Sequence, residues 1–390
     1  MIDFTFHNPA KIIFGRDSLS HLAQEILNYG TRVLVVYGGG SIKRIGLYDE
    51  VMESLNSIAA SFWELSGVQP NPRLSLVYEG IDICKKNGVE LVLAVGGGSV
   101  IDTAKAIANG ACYGGDVWDL YLGKASNECA LPLGTVVTIP AAGSEMSFSS
   151  VITREEDSCK VGRNSPFNVP KFSILNPEYT YSLPPYQTAA GCVDIMAHLM
   201  ERYFTQIQHV ELTDRMMEGA LVTMLHNSPI VMADPTNYDA RAEIMWTGCL
   251  AHNSLFQTGR IGDWASHKLE HELSALYDIA HGAGLAIMFP AWMKYVLPRS
   301  GAKKLAQFAT RVLGVPEDLG TEEDIAYEGI ARLEGFYRSL DMPVRLHEAG
   351  IDDRDFDRMA QRCADLVGGT IGAFVPLSAS DAVEIYKLAL

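Results

Sequence analysis

The first half of the chain alternates short apolar runs with amphipathic stretches. Residues 31–37 form a β-branched run that ends in a glycine-rich loop, and an amphipathic stretch through Val51 and Leu55 follows. A helical stretch over 74–86 leads into a second apolar run at 91–95, and 133–140 supplies a third. Continuous apolar strands that alternate with helices are typical of parallel sheets covered on both faces. The pattern predicts an α/β fold with a doubly wound, Rossmann-like parallel sheet in its N-terminal domain.

The pattern changes after Pro184 and Pro185. From there the apolar residues recur at helical spacing over 189–204, 212–225, 238–256, 264–276, 302–313, 322–340, 353–366 and 380–390. Glycines at 368, 369 and 372 interrupt this pattern as a loop. The 390 residues, of which 48% are hydrophobic, are enough for two cores. We therefore predict an α/β domain over 1–183 and an all-α domain over 184–390.

Composition narrows the class of protein. The net charge of −16, from 31 basic and 47 acidic residues, disfavours binding to nucleic acid or to an anionic membrane. No stretch approaches the roughly 20 apolar residues that span a bilayer, and the first residues do not form an export signal. Seven scattered cysteines without C-x-x-C spacing are typical of a reducing compartment. We expect a cytoplasmic enzyme with a small-molecule substrate.

Side chains suited to a divalent metal are concentrated in the second half, at Asp194, His198, His267, His271 and His281. Residues four apart on a helix share a face, with Cβ atoms roughly 5–6 Å apart, so 194/198 and 267/271 can each present two ligands. Either pair alone is read equally well as ordinary core or surface residues. Both pairs together with His281 favour a metal site, but the spacing does not decide which of the five hold the ion.

Two glycine loops join a strand to a helix in the first half. They are Gly38-Gly39-Gly40-Ser41 and Gly96-Gly97-Gly98-Ser99. Glycine lets the backbone approach a phosphate, and a helix N-terminus offers unpaired N–H groups. Neither loop has the G-x-G-x-x-G or the P-loop pattern, and one alone is read equally well as a tight turn. Two at corresponding places, with the small-residue loop at 141–145, favour a dinucleotide across the carboxyl ends of the strands.

The residues of the first loop bear on the choice of nucleotide. An acidic residue usually binds the adenine ribose hydroxyls of NAD, whereas this segment offers Ser41, Lys43 and Arg44. Such cations suit a 2′-phosphate, so the sequence predicts NADP(H) ahead of NAD(H). The alternative is that the two cations form only a solvated helix face.

Together these residues resemble the iron-containing alcohol dehydrogenase family, in particular its bacterial butanol dehydrogenases and broad aldehyde reductases. The resemblance runs along nearly the whole chain, through segments 9–15, 36–41, 67–72, 94–102 and 267–281 in that order. It implies a nucleotide-binding domain followed by a helical metal-binding domain, an architecture shared with dehydroquinate synthases. One departure is Ala142, where the family commonly has threonine. A missing neutral hydrogen bond there would cost about 0.5–1.5 kcal/mol of cofactor affinity.

The resemblance also implies roles for individual residues. The metal ligands would be Asp194, His198, His267 and His281. His271 would lie near the nicotinamide and the substrate rather than bind the ion, so that His267, through the ion, and His271, as a candidate proton relay, would act in catalysis. The residues implied for the nucleotide are Asn71, Gly97, Gly98, Ser99, Asp102, Thr138, Ser144, Val151 and Lys160, beside Gly38, Gly39, Gly40 and Ser41.

The expected reaction is hydride transfer between NAD(P)(H) and a short- to medium-chain primary alcohol or aldehyde such as butanol or butanal. Three imidazoles and a carboxylate suit Fe²⁺ or Zn²⁺, which would act as a Lewis acid on the substrate oxygen. The apolar residues expected around the substrate are Met146, Phe148, Leu255, Phe256 and Trp264. The alternatives are a polyol dehydrogenase or a dehydroquinate synthase-like lyase on the same fold, and a non-enzymatic metal or nucleotide sensor. By analogy we expect a homodimer joined through residues 4–14.

Overall fold

A computed structural model describes all 390 residues, and the chain forms two compact units. The sheet unit consists of His7–Leu183 and Pro235–Asn253, and the helical unit consists of Met1–Phe6, Pro184–Asp234 and Ser254–Leu390. The division into domains 1–183 and 184–390 stays a prediction. The two units differ from it in where Met1–Phe6 and Pro235–Asn253 belong.

All strands lie in the sheet unit, together with helices α1–α6 and α9, and the other helices form the helical unit. The strands are β1 Lys11–Phe14, β2 Arg32–Tyr37, β3 Ser61–Leu65, β4 Leu91–Gly96, β5 Leu133–Val137, β6 Ser149–Arg154, β7 Cys159–Asn164 and β8 Phe172–Leu175. The helices are α1 Leu22–Leu27, α2 Ser41–Arg44, α3 Leu47–Ser57, α4 Leu74–Asn87, α5 Gly98–Cys112, α6 Val117–Tyr121, α7 Pro185–Tyr203, α8 Glu211–Ala233, α9 Tyr238–Ala251, α10 Ala265–Tyr277, α11 His281–Ser300, α12 Lys303–Arg311, α13 Glu322–Ser339, α14 Phe356–Leu366 and α15 Ala379–Ala389.

Six strands form a parallel sheet in the order β1-β8-β5-β4-β2-β3. Strand β2 shows why both faces are covered. Successive side chains of a strand point to opposite faces, and Leu34 and Val36 join one buried cluster while Val33 and Val35 join another. The first cluster includes residues of α4 and α5, and the second includes residues of α1 and α3. The predicted doubly wound α/β sheet is confirmed.

The parallel arrangement places the glycine loops at one edge of the sheet. Neighbouring strands β2, β4 and β5 all end there, and the chain continues at Gly38, Gly97 and Thr138. The Thr138 N–H donates a hydrogen bond of 3.0 Å to the Gly96 carbonyl, which ties two of these loops together. This is the edge at which ligands of open α/β sheets bind.

Two features of the sheet unit differ from the sequence pattern. Strands β6 and β7 form a separate antiparallel hairpin, which the pattern did not predict. Within residues 4–14, regular strand structure is confined to β1, which pairs with β8 on one side and lies at the edge of the sheet. The outer edge of β1 therefore keeps a row of backbone groups that no other strand of the sheet uses.

The helical unit contains one helix that the apolar pattern missed. Helix α11 is buried on nearly every side over its first sixteen residues, and it contains Pro290 and Pro298. A helix that is apolar on all sides lacks the amphipathic period by which helices are recognised in a sequence. A proline usually indicates the end of a helix, so the two internal prolines also argued against a continuous helix here. His281 is its first residue. None of the helices in the molecule is both long and apolar enough to cross a membrane.

Candidate metal centre and nucleotide-binding loops

Three helices of the helical unit bring the candidate metal ligands together. Helix α7 carries Asp194 and His198 one turn apart, α10 carries His267 and His271 one turn apart, and α11 begins at His281. The ligand atoms of Asp194, His267 and His281 all lie within 4.8 Å of one another. The side chains of the first two are buried, and that of His281 is 24% exposed. The cluster is therefore compact and opens to solvent on the side of His281.

His198 belongs to the same cluster through Asp194. Its Nε2 lies 3.4 Å from Asp194 Oδ1, and Nε2 of His281 lies 3.9 Å from the same oxygen. The ring centroids of His198 and His267 are 4.6 Å apart, and those of His267 and His281 are 5.3 Å apart. The structure thus brings together all four residues that the family resemblance implies.

A buried carboxylate that the sequence pattern did not single out orients His267. Glu201 Oε1 accepts hydrogen bonds from the backbone N–H of His267 at 2.9 Å and from its Nδ1 at 2.8 Å. The second oxygen accepts from the Trp264 N–H at 2.5 Å. Because a carboxylate oxygen is the acceptor, Nδ1 carries the proton and the lone pair of His267 lies on Nε2. Burial raises the pKa of the Glu201 carboxyl, and the two backbone donors oppose that rise.

Glu270 holds His281 in the same way. Its carboxylate is hydrogen-bonded to Nδ1 of His281 and to the Ser274 hydroxyl. Glu270 also forms a second close group with His271 and His281, in which the three ligand atoms lie within 4.8 Å. The ring of His271 lies 5.6 Å from that of His281. His271 is therefore adjacent to the cluster, and the geometry alone leaves it available either as a ligand or as a neighbour of the ion.

The donor set fits a divalent cation. Nε2 of His267 is buried without a hydrogen-bond partner, although its ring is fixed by Glu201. Burial lowers the pKa of His267 well below its usual value, so the imidazole is neutral and able to donate its lone pair. Imidazole nitrogens with one carboxylate suit Fe²⁺ or Zn²⁺. A cation at this cluster would satisfy the Nε2 atom that the chain itself leaves unpaired.

Replacing Glu201 by glutamine should weaken metal binding. Each carboxylate oxygen accepts from an N–H group, so an amide NH₂ in either orientation would face a donor instead. Loss of such an outer carboxylate typically costs about 10–100-fold in metal affinity, and we expect that range for E201Q in a competition with a chelator.

Glu218→Gln is the matched control, because Glu218 is a buried acid of the same unit that contacts Tyr203, Gln307 and Arg311 rather than a ligand. An E201Q protein that binds metal as tightly as E218Q would show that Glu201 does not orient the ligand.

The first residues of α5 form the strongest candidate phosphate site in the sheet unit. Its N-cap is Gly97, and no side chain caps the first turn. A Cβ atom at Gly97 would lie 2.9 Å from the Ile139 side chain, and one at Gly96 would lie 2.5 Å from Val100. Both positions therefore require glycine for close packing, while Gly98 and Ser99 are half-buried. The N–H groups that this turn offers to a pyrophosphate are those of Gly98 and Ser99, because those of Val100 and Ile101 donate to the Gly97 carbonyl.

Asp102, Ser144 and Val151 lie together behind this turn. The Ser144 hydroxyl donates to Asp102 Oδ1 at 2.6 Å, and the Val151 N–H donates to Asp102 Oδ2 at 2.9 Å. Burial raises the pKa of Asp102, although the nearby lysines and these hydrogen bonds oppose the rise. Both carboxylate oxygens of Asp102 thus accept hydrogen bonds from the segment that contains Ser144 and Val151. Asp102 therefore fixes this segment to α5, whether or not it also contacts a ligand.

Asn71 and Lys160, two further residues of the predicted nucleotide site, are hydrogen-bonded to each other. The Lys160 Nζ donates to Asn71 Oδ1 at 3.0 Å, and both residues are about 6% exposed. Asn71 has a φ of 55°, in the left-handed region, and the next residue accepts a hydrogen bond of 2.8 Å from the Thr153 N–H. A strained residue that is held in place from both sides is typical of binding loops. Without the family resemblance, the sequence around Lys160 would indicate an ordinary surface lysine, whereas the structure shows Lys160 buried and hydrogen-bonded.

The loop at Gly38–Ser41 is the more exposed of the two glycine loops. Gly39, Gly40 and Ser41 are exposed, as are Lys43 and Arg44 in the short helix α2. The Lys43 Nζ lies 4.4 Å from the centre of the Tyr48 ring and 5.4 Å from that of Tyr37. Glu64 accepts hydrogen bonds from both tyrosine hydroxyls. An acidic group therefore lies near Lys43, whereas Arg44 is exposed at the end of the same short helix.

The remaining predicted residues lie in both units. Ala142, which replaces the family's threonine, lies with its Cβ 3.5 Å from the position of a Cβ at Gly98, and its carbonyl contacts Nδ1 of His252 at 2.7 Å. Met146 and Phe148 lie in the sheet unit, whereas Leu255, Phe256 and Trp264 lie in the helical unit. Phe256 and Met146 are buried. Their role around a substrate stays a prediction.

Comparison with known proteins gives consistent matches along the whole chain. A family described as iron-containing alcohol dehydrogenase matches residues 9–177, and the C-terminal family of Fe-containing alcohol dehydrogenases matches residues 188–390. The chain is 47% identical to the probable NADH-dependent butanol dehydrogenase 1 of Bacillus subtilis, and the alignment covers 100% of both chains. It is 37% identical to the NADPH-dependent aldehyde reductase YqhD of Escherichia coli over 90% of each chain.

Solved structures show the same fold. The crystal structure of the NADH-dependent butanol dehydrogenase A from Thermotoga maritima superposes with a TM-score of 0.95 at 42% sequence identity, covering 99% of this chain and 98% of that one. Both units therefore have counterparts in a solved relative.

Proposed function

The chain belongs to the iron-containing alcohol dehydrogenase family, and from that premise we propose that it transfers hydride between NAD(P)(H) and a short- to medium-chain primary alcohol or aldehyde such as butanol or butanal. The observation that carries the proposal is the buried cluster of one carboxylate and three imidazoles on α7, α10 and α11. Full-length relatives named as butanol dehydrogenases and as an aldehyde reductase support the substrate class.

Each site residue has a proposed task. Asp194, His198, His267 and His281 bind the cation, and Glu201 and Glu270 fix the rings of His267 and His281. When bound, a divalent cation supplies Lewis acidity toward the oxygen of the alcohol or aldehyde. His271, beside His281, is the proposed proton relay for that oxygen. The family description favours Fe²⁺, while the donor set suits Zn²⁺ equally well.

The nucleotide is proposed to bind along the carboxyl edge of the sheet. The uncapped first turn of α5 would hold the pyrophosphate through Gly97, Gly98 and Ser99. Thr138, Ser144 and Val151 would line the adjacent loops, and Lys160 with Asn71 would reach the nicotinamide ribose. Gly38, Gly39, Gly40 and Ser41 would hold the adenosine end, where the choice between NAD(H) and NADP(H) is made.

Removing the two cations of α2 should affect one nucleotide only. A 2′-phosphate beside Lys43 and Arg44 would gain charge-assisted contacts that NADH lacks. In the K43A/R44A double variant we expect kcat/KM with NADPH to fall about tenfold, which corresponds to roughly 1.4 kcal/mol, while kcat/KM with NADH stays within about twofold. The relatives with 47% and 43% identity are named for NADH and the one with 37% for NADPH, so both nucleotides must be measured. Equal losses with both nucleotides would refute a 2′-phosphate site at α2.

Assay of purified, metal-loaded protein with three substrate types tests the proposed function. Butanal should oxidise NADH or NADPH with one butanol formed per nucleotide consumed, whereas a polyol and a phosphorylated sugar should react much more slowly. Turnover of a phosphorylated substrate without net consumption of nucleotide would identify a synthase-like lyase instead. Preference for the polyol would place the chain among polyol dehydrogenases, and binding of nucleotide without any turnover would indicate a sensor.

We also propose that the protein acts in the cytoplasm as a homodimer. The dimer is supported by the open edge of β1, whose last residue, Phe14, is 39% exposed. Light scattering on a size-exclusion column should give twice the chain mass of 42.6 kDa at micromolar concentration. A mass of one chain under these conditions would reject the dimer.

A further inference from the structure

Lys105 is a fully buried cation that none of the roles above uses. It lies on α5, within two turns of the phosphate loop, and its side chain has no solvent exposure. Its Nζ donates to the Ser144 hydroxyl at 2.8 Å and to the Ser149 carbonyl at 2.7 Å. The carbonyl and the hydroxyl of Ser147 lie at 3.1 and 3.2 Å from the same nitrogen. An ammonium has three protons to donate, so this set of oxygens uses all of them.

Keeping a charge at this position is costly. Burial lowers the pKa of Lys105 to about 8, while Asp102 and Glu145 oppose that change. A buried ion pair is often no more stabilising than a well-packed apolar side chain of similar size. If Lys105 served only to fill the interior, an apolar side chain of similar size could take its place. Its hydrogen bonds therefore indicate a further role. Every oxygen that it binds belongs to Ser144, Ser147 or Ser149, in the segment that leads into β6.

The contacts continue from Lys105 toward the candidate nucleotide residues. Ser144, which accepts from Lys105, donates in turn to Asp102. Asp102 accepts from the Val151 N–H through its other oxygen, and the Ser150 hydroxyl donates to the Asp102 carbonyl. Helix α5 and the segment 144–151 are thus fixed to each other by one chain of polar contacts. Since α5 begins at Gly98, this chain also fixes the distance between the first turn of α5 and that segment.

We propose that Lys105 is a positioning residue for the nucleotide, which it does not touch: it holds the segment 144–151 at the spacing from α5 that the dinucleotide requires. The inference rests on the proposed nucleotide site and adds a determinant of its affinity. It differs from a purely structural role in one respect. Loss of the ammonium should weaken nucleotide binding more than it lowers the rate at saturating nucleotide, because the metal ligands lie on α7, α10 and α11.

The test compares Lys105→Met with the wild type and with Lys304→Met. Lys304 is a largely buried lysine of the helical unit whose Nζ donates to Asp214 at 2.6 Å, so K304M also removes a paired buried ammonium. Dissociation constants for NADH and NADPH are measured by fluorescence titration of the metal-loaded proteins. For K105M we expect a dissociation constant raised about tenfold or more, because small misplacements of binding groups carry losses of this order. We expect kcat at saturating nucleotide within about threefold of wild type, and unchanged nucleotide affinity in K304M.

A second variant, Lys105→Gln, keeps N–H donors without the charge and should lie between K105M and the wild type. If the wild type and K105M bind nucleotide with equal affinity, the inference is wrong and the proposed function still stands. Wild-type protein that binds neither nucleotide would refute the proposed function itself. Equal losses of nucleotide affinity in K105M and K304M, or failure of both K105M and K105Q to fold, would show that Lys105 serves stability alone.

Discussion

Replacing His267 by alanine should remove both the bound metal and the activity. His267 Nε2 is buried without a partner in the chain, and the ring is held toward Asp194 and His281 by Glu201. Alanine removes one of the four proposed ligands, and the three that remain no longer surround the ion. Metal assistance contributes several kcal/mol to such reactions, so we expect kcat/KM with butanal to fall about 10³-fold or more. Elemental analysis should find far less than one metal per chain.

The control for this variant is His226→Ala, because His226 is an exposed histidine on α8 of the same unit. H226A should keep wild-type metal content and activity. A folded H267A protein with wild-type metal content would show that His267 is not a ligand, whatever its activity.

Replacing Gly282 by alanine should damage the same site without changing a ligand. A Cβ atom at Gly282 would lie 1.9 Å from the carbonyl oxygen of Ala190, and 2.9 Å from its Cα. Ala190 lies one turn before Asp194 on α7, and Gly282 directly follows His281 on α11. The added methyl group must therefore push the two ligand-bearing helices apart. We expect about 1–3 kcal/mol lower stability from overpacking and a clear loss of metal affinity.

Gly335→Ala separates this effect from a general effect of alanine in a helix. Gly335 lies within α13, where an added Cβ meets nothing within 4 Å. G335A should be as stable as the wild type or up to about 1 kcal/mol more stable, because alanine is the better helix former. Its metal affinity should be unchanged. G282A with wild-type metal affinity would mean that the close contact between α7 and α11 is not needed to place His281.

The sequence predicted much of the fold because its strongest signals are local. Apolar strands followed by glycine loops identified the sheet, and the i,i+4 pairs at 194/198 and 267/271 placed four candidate ligands on two helices. Spacing could not choose among the five candidates, since His271 shares its helix face with His267. The family resemblance supplied that choice, and the close second group of Glu270, His271 and His281 shows why geometry alone would also leave it open.

What the sequence did not predict depends on contacts between distant residues. Glu201 and His267 are 66 residues apart, and Lys105 and Ser144 are 39 apart, so no short motif marks either pair. The burial of a charged side chain likewise appears only after packing, since lysine and glutamate are usually exposed. The missed helix α11 illustrates the opposite case, in which uniform burial and two prolines hide a regular element.

Metal content and activity, measured in the same samples of the wild-type protein, show most directly whether Asp194, His198, His267 and His281 hold a catalytic ion. Protein from which a chelator has removed the metal is titrated with Fe²⁺ and, in parallel, with Zn²⁺. The oxidation of NADH and of NADPH with butanal is followed during each titration. If these residues hold a catalytic ion, activity is absent in the metal-free protein, rises in proportion to bound metal and saturates at one ion per chain. Full activity in protein shown by elemental analysis to hold no metal would contradict that role.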